Sequence, residues 1–187
     1  MPKRTFIGIR VNPNDRLLNL LSELQQEFSS DKIKWSPVTN WHFTLKFLGN
    51  TTLQQEQLLI ARLQNFVKSI KVFDYKIAGL GTFVRKRKPK VLYCNVLASD
   101  TLGKLQQNVE DICQQVGFDA DQRNYNPHLT LGRIKHLESL DRFDRIIGLF
   151  EDQIWQTDVA KDVILFESRS TSKGPEYIPI DVFPLAQ

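Results

Sequence analysis

Apolar and polar positions along this chain switch between two periods. The alternating run TFIGIRV, from Thr5 to Val11, predicts a strand that ends at the turn signal Asn12, Pro13 and Asn14. Behind Asn14 or Asp15 as N-cap, Leu17, Leu21, Leu24 and Phe28 recur at helical spacing. A strand follows from Trp41 to Leu48, stopped by Gly49 and Asn50. A second helix, with Leu59, Leu63, Phe66 and Ile70 on one face, leads into a strand from Val72 to Ile77.

The same order of strand, helix, strand, helix, strand then returns. Val91 to Leu97 predicts a strand, and Leu102, Leu105, Val109, Ile112 and Val116 a helix face. Next come a strand at Pro127 to Leu131, a helix with Leu140, Phe143, Ile147 and Phe150, and a strand at Val163 to Ser168. The linker-like STSKGPE leads into a last strand, Tyr177 to Phe183. The expected fold class is α+β. One bilobal domain covers residues 1–187, with pseudo-repeats at 5–84 and 91–170 and a C-terminal hairpin strand at 177–183. Each lobe is expected to be an antiparallel sheet with helices on its outer face, and a cleft lies between the lobes.

Composition narrows the class. With 187 residues, 41% hydrophobic and 25% charged, the chain is an ordinary globular one, long enough to bury roughly 70% of its unfolded surface. Cys94 and Cys113 fall on apolar patterns with no disulfide or zinc spacing, so they are expected as small core residues in a reducing compartment. No segment approaches the ~18 apolar residues of a membrane span, so a cytoplasmic protein without a membrane partner is expected; a monomer is expected as well. The formal net charge is +4, yet RKRKPK alone, Arg85 to Lys90, carries five positive charges. The basicity is local, and that loop is expected to join the two lobes.

Two of the three histidines sit in one frame, 86 residues apart: His42-Phe43-Thr44-Leu45 and His128-Leu129-Thr130-Leu131. Alternation along a strand puts His42, Thr44 and Lys46 on one face and the apolar residues on the other, with successive same-face groups roughly 6.5–7 Å apart. His128 and Thr130 repeat the arrangement, so two polar strand faces can line one cleft. A pair of imidazoles there suits phosphodiester cleavage without a metal: one neutral ring takes a proton and the other, protonated, gives one. Threonine hydroxyls beside them can hold phosphate oxygens. His136 has no such frame and is expected at the surface.

HFTLKFLG and HLTLGR resemble the two motifs of the two-histidine (2H) phosphoesterase superfamily. RTFIGIRV and LFESRSTSKGPEYIPIDVFPL resemble the first strand and C-terminal hairpin of its RNA 2',3'-cyclic phosphodiesterases, once called 2'-5' RNA ligases. The resemblance spans nearly the whole chain. It implies a bilobal α+β fold, no cofactor, no metal, and opening of a terminal cyclic phosphate to leave a 2'-phosphate. It also implies that His42 is the proton donor and His128 the acceptor, which spacing does not decide. Arg133 matches an arginine that follows the second motif as a phosphate ligand, and a twist or bulge at Gly132 is needed to bring it to the cleft.

The expected partner is RNA or an oligonucleotide with a 2',3'-cyclic phosphate end. Lys46, by alternation, and Trp41 and Tyr125, just before the two motifs, are candidate RNA contacts, the aromatics by stacking. Core packing is the alternative for both aromatics. Arg85, Lys86, Arg87, Lys88 and Lys90 are candidates for the RNA backbone. Two other functions compete: cyclic-phosphate opening run backwards as 2'-5' ligation, and a binding module for RNA ends that does no chemistry.

Overall fold

The computed structural model describes residues 2–172 and 174–187. Strand β1 is Lys3–Arg10, and helix α1 is Asp15–Glu27. The Asn14 side chain caps α1 by accepting a hydrogen bond from Leu17 N at 2.9 Å. A short strand β2, Lys32–Trp35, and a 3-10 turn at Val38–Asn40 lead into β3, His42–Thr51. Helix α2, Leu53–Phe66, opens with a capping box of Thr52 and Gln55. Then come β4, Phe73–Arg85; β5, Lys88–Ala98; and α3, Asp100–Gln115. The chain closes with β6, His128–His136; α4, Leu140–Leu149; β7, Ile154–Ala160; β8, Asp162–Thr171; and β9, Gly174–Pro184.

The result is an α+β fold with two antiparallel sheets, ordered β3-β1-β8-β9 and β2-β6-β5-β4-β7. Matching β3 to β6, β1 to β5, β8 to β4 and β9 to β7 brings the two orders into register, with β2 added at one edge. The sheets are not made of consecutive halves. Strand β4 leaves the first half to pair with β5 in the second sheet, while β8 and β9 complete the first. Helices cross over too. Helix α3 packs on β3 and α2 on β9, whereas α1 packs on β7 and α4 on β4.

This exchange corrects one expectation. RKRKPK does not join two lobes; it is the tip of the β4–β5 hairpin inside the second sheet, with Arg85 opposite Lys88. STSKGPE likewise forms the β8–β9 turn, where Lys173 lies outside the described residues. Strands β2 and β7 were not expected from the sequence.

One continuous core unites both sheets and the helices. Leu17, Leu59, Leu63, Leu105, Val109 and Phe143 are wholly buried in it, worth roughly 1.5–3 kcal/mol per side chain. Both cysteines are in that core, and burial pushes the Cys113 thiol up to about 12. Leu140, expected on the inner face of α4, is exposed instead. Among the described residues no helix is long and apolar enough to cross a membrane. A second, smaller cluster of Phe6, Ile164 and Phe166, with Tyr177 packed against it, lies apart from the core. Alternation explains why: in β1, Ile7 and Ile9 face the core, so Arg4, Phe6, Gly8 and Arg10 face the other way.

Candidate active site

His42 and His128 begin the matching strands β3 and β6, and each ring is held by its own chain. His42 Nδ1 lies 2.6 Å from the carbonyl of Asn40, and His128 Nδ1 lies 2.7 Å from the carbonyl of Asn126. A carbonyl only accepts, so Nδ1 carries the hydrogen in both rings and Nε2 is the atom left to exchange protons. Asn40 is fixed in turn, since its side chain donates to Pro175 O in the β8–β9 hairpin at 2.7 Å.

Aromatic rings wall both imidazoles. Phe6 lies 4.7 Å from the His42 ring, centre to centre, and Tyr177 meets it edge-on at 5.0 Å. On the other sheet Phe83 meets the His128 ring edge-on at 4.7 Å, with Tyr93 at 5.2 Å. Glycines give these rings room. A Cβ on Gly81 would fall 2.5 Å from the Tyr93 ring, and one on Gly8 would fall 2.8 Å from Phe43 O and 3.5 Å from His42 Cδ2.

Burial strips water from both imidazoles and disfavours their charged forms. The His42 pKa is pushed down to about 4, chiefly by desolvation; the bond to Asn40 opposes this, and the charges of His128 and Arg10 add to it. His128 is lowered as well, again chiefly by desolvation, with Arg133 adding to it against the bond to Asn126. Strands β3 and β6 touch across the two sheets, so the histidines that begin them open onto one space, in which Arg10 and His128 act on His42 and Arg133 acts on His128. Arg133 and Arg4 also act on Tyr177 of the opposite sheet.

A pair of bulges decides which residues after each histidine face that space. In β3, Gly8 pairs with Thr44 and Ile7 with Lys46, which leaves Leu45 unpaired. In β6, Tyr93 pairs with Thr130 and Leu92 with Gly132, which leaves Leu131 unpaired. Each bulge reverses the alternation. Arg133 is therefore carried to the cleft face, as the sequence required, with the extra residue one position before Gly132. Thr44 and Thr130 remain beside their histidines, half-buried.

The same device overturns Lys46 as a cleft residue. It is 4% exposed, pairs with Glu110 Oε1 of α3 at 2.8 Å and donates to Asp119 O at 2.8 Å, while Phe47 takes the cleft side and packs near Phe6. Trp41 is 1% exposed, with its indole N–H donating to Ser36 O, so it is a core residue and no stacking surface. Tyr125 also packs against the core, with its hydroxyl buried. His136 is exposed and pairs with Glu138 at 3.5 Å. The basic residues from Arg85 to Lys88 and Lys90 are all exposed on the hairpin.

Several cleft residues were missed in the sequence. Arg10 stands opposite His42 in the sheet, with its guanidinium 5.6 Å over the Phe166 ring. Phe6, Arg4 and Arg10 share one face of TFIGIRV and its neighbours, and a glycine between aromatic and arginine on that face was the available signal. Phe83, Tyr93, Phe166 and Tyr177 left no comparable trace, because only strand pairing brings them to the histidines. Among the described residues no group of three or more histidine, cysteine, aspartate or glutamate side chains is placed to hold a metal ion.

The arrangement has relatives. A model of the LigT-like phosphoesterases matches residues 7–93 and 97–177. An RNA 2',3'-cyclic phosphodiesterase of Aquifex aeolicus is 32% identical over 191 residues, covering 97% of each chain. One of Methanothermobacter thermautotrophicus is 27% identical over 187 residues, covering 99% of this chain and all of its own. The fold is also that of Escherichia coli LigT crystallised with 3'-AMP, at a TM-score of 0.79, 18% identity and full coverage of both chains. A Thermus thermophilus protein matches at 0.80 with 18% identity, covering 97% of each chain. With both halves matched by one family model and relatives of its own length, this chain belongs to the LigT-like phosphoesterase family, within the 2H phosphoesterase superfamily.

Proposed function

We propose that this protein hydrolyses the terminal 2',3'-cyclic phosphate of RNA to a 2'-phosphomonoester by two-histidine acid–base catalysis. The observation that carries the reading is the matched pair of Nδ1–carbonyl bonds, which leaves two Nε2 atoms as proton-exchanging groups of one cleft. The names of the relatives at about 30% identity support the substrate.

In this mechanism His128 Nε2 takes a proton from water as the water oxygen attacks phosphorus. The bond from phosphorus to O3' breaks, and His42 Nε2 delivers its proton to that oxygen, leaving the phosphate on O2'. Thr44, Thr130 and Arg133 hydrogen-bond the non-bridging oxygens and hold phosphorus in line. Both rings are neutral near pH 7 in the empty cleft, so the donor has to gain its proton as the anion binds. The negative phosphate replaces lost hydration and raises the His42 pKa.

The test is an oligoribonucleotide ending in 2',3'-cyclic phosphate, incubated with the protein in excess EDTA, with the product phosphate located by NMR. A 2'-phosphate at an undiminished rate is expected. A 3'-phosphate, or activity that needs an added divalent ion, overturns the mechanism. Tight binding without turnover would leave an RNA-end-binding module, and joining to an added 5'-hydroxyl would favour ligation.

A further inference from the structure

We infer that the cleft face of the second sheet, from Thr130 outward to the β4–β5 hairpin, is a track for the RNA backbone upstream of the cyclic phosphate. This rests on the RNA reading above and adds to it a direction: the body of the RNA leaves the catalytic histidines over the second sheet.

The strand register lays out the track. His128 stands opposite Asn95, and Thr130 opposite Tyr93. Beyond them Arg133 of β6 is opposite Val91 of β5 and Lys34 of β2, and Val91 is opposite Phe83 of β4. Two residues further along β4, past a bulge at Lys90, Arg85 is opposite Lys88. Because β4 itself runs without a bulge from Phe83 to Arg85, both side chains share a face, and the contact of Phe83 with His128 identifies it as the cleft face. The cations thus lie on four strands of one face, Lys34 and Arg133 in a row across the sheet with Phe83 and Val91, and Arg85 and Lys88 beyond that row at the hairpin tip.

Three features of the hairpin point to a ligand for it. Arg85 and Lys88 are like charges directly opposed across the strands, a destabilising arrangement. Lys86 and Arg87 form the turn with φ of 52° and 61°, a region suited to Asn-Gly and costly for long side chains. None of the hairpin cations, nor Lys34 or Arg133, takes part in an ion pair among the described residues. An anionic chain is attracted to these unpaired cations.

The experiment compares a five-nucleotide RNA ending in 2',3'-cyclic phosphate with a nucleoside 2',3'-cyclic phosphate. In the wild type the longer substrate should have the higher kcat/KM. Arg85→Gln/Lys88→Gln should lower kcat/KM for the pentanucleotide about tenfold and flatten its salt dependence by about 1.4 in log–log slope, two contacts at ~0.7 each. Turnover of the mononucleotide should stay within twofold. Lys86→Asn/Arg87→Gly, which relaxes the turn and keeps Arg85 and Lys88, should raise Tm and retain the preference for the longer substrate.

Equal loss on both substrates, or a wild type that does not prefer the pentanucleotide, overturns the track. Hydrolysis of neither substrate overturns the activity instead. The track is then decided by fluorescence anisotropy of a labelled pentanucleotide with a 2'-phosphate: about tenfold weaker binding by Arg85→Gln/Lys88→Gln upholds it, and unchanged binding overturns it.

Discussion

Lys46, four residues beyond His42, is bonded to Glu110 of α3 at 2.8 Å in a setting where each side chain is less than one-tenth exposed. The same carboxylate oxygen accepts from Asp121 N at 3.0 Å, and Lys46 also holds Asp119 O. A strand with one histidine is thereby tied to the start of the loop that leads to the other.

Removing only the ammonium leaves a buried carboxylate without its counter-charge. Lys46→Met should destabilise the protein by about 3–5 kcal/mol, and Lys46→Met/Glu110→Met should recover much of that loss. Urea unfolding of the two variants checks it. A single variant within about 1 kcal/mol of wild type would mean that water or a rearranged loop replaces the bond.

Stability should fall in mild acid because of the histidines. Their folded pKa values lie below the ordinary 6.5, about 4 for His42. Between those limits the unfolded chain binds protons that the native one refuses, so stability is full above about pH 6.5 and declines toward pH 4. His42→Asn should flatten this part of the profile. A urea midpoint that does not change between pH 7 and pH 5 in the wild type would contradict the lowered values.

Anion binding should reverse the same shift. Calorimetry with inorganic phosphate at pH 7, in buffers of different ionisation enthalpy, should show proton uptake by the protein, and phosphate should bind more tightly at pH 6 than at pH 8. Binding without proton exchange, in wild type and in His42→Ala alike, would mean that the phosphate does not reach the imidazole.

His42→Ala and His128→Ala should each lower kcat by ~10²-fold or more, and the double variant should lose little beyond either, as groups acting in one step do. The expected pH profile of the wild type is bell-shaped. Near-normal turnover of either single variant would remove that histidine from the chemistry.

Gly81→Ala probes the wall behind His128. The added Cβ would meet the Tyr93 ring at 2.5 Å, so the ring must move away from its place 5.2 Å from the imidazole. A fall in kcat on the order of tenfold to a hundredfold is expected, the scale of a small misplacement at a reacting centre. Gly103→Ala on the exposed face of α3, where a Cβ meets nothing within 4 Å, should instead add up to ~1 kcal/mol of stability and leave kcat alone.

Elements whose apolar spacing repeats over several turns or a full strand were legible: α1, α3 and β1 stand close to their expected ranges, while α2 ends before Ile70 and β6 runs five residues past Leu131. The two histidine frames were legible because a rare residue recurred at a matched position. Strand β2 was not, since Lys32 to Trp35 offers only four residues and an alternation too short to outweigh its polar flanks. Lys46 was misread for a different reason. Its direction depends on an unpaired Leu45, and a bulge is a property of two strands together. For Arg133 a bulge at Gly132 is expected only because the resemblance to the family puts an arginine there as a phosphate ligand. Strand partners were the least legible, as a period of two tells which face a residue takes and nothing of which neighbour lies beside it.

The interleaving of the two sheets sets a schedule for the newborn chain. On the ribosome β1 and β3 emerge early, yet β8 and β9, which finish their sheet, are made last. At ~5–20 residues per second the first strands wait roughly 10–35 s for their partners. During that time β4 can zip to β5 as a hairpin, but β1 keeps one bare edge, an open template for pairing with another nascent copy. Cutting the gene between the pseudo-repeats would therefore yield two fragments that each lack strands and helices supplied by the other. Neither should fold alone, and the two should regain the His42–His128 cleft only when expressed together.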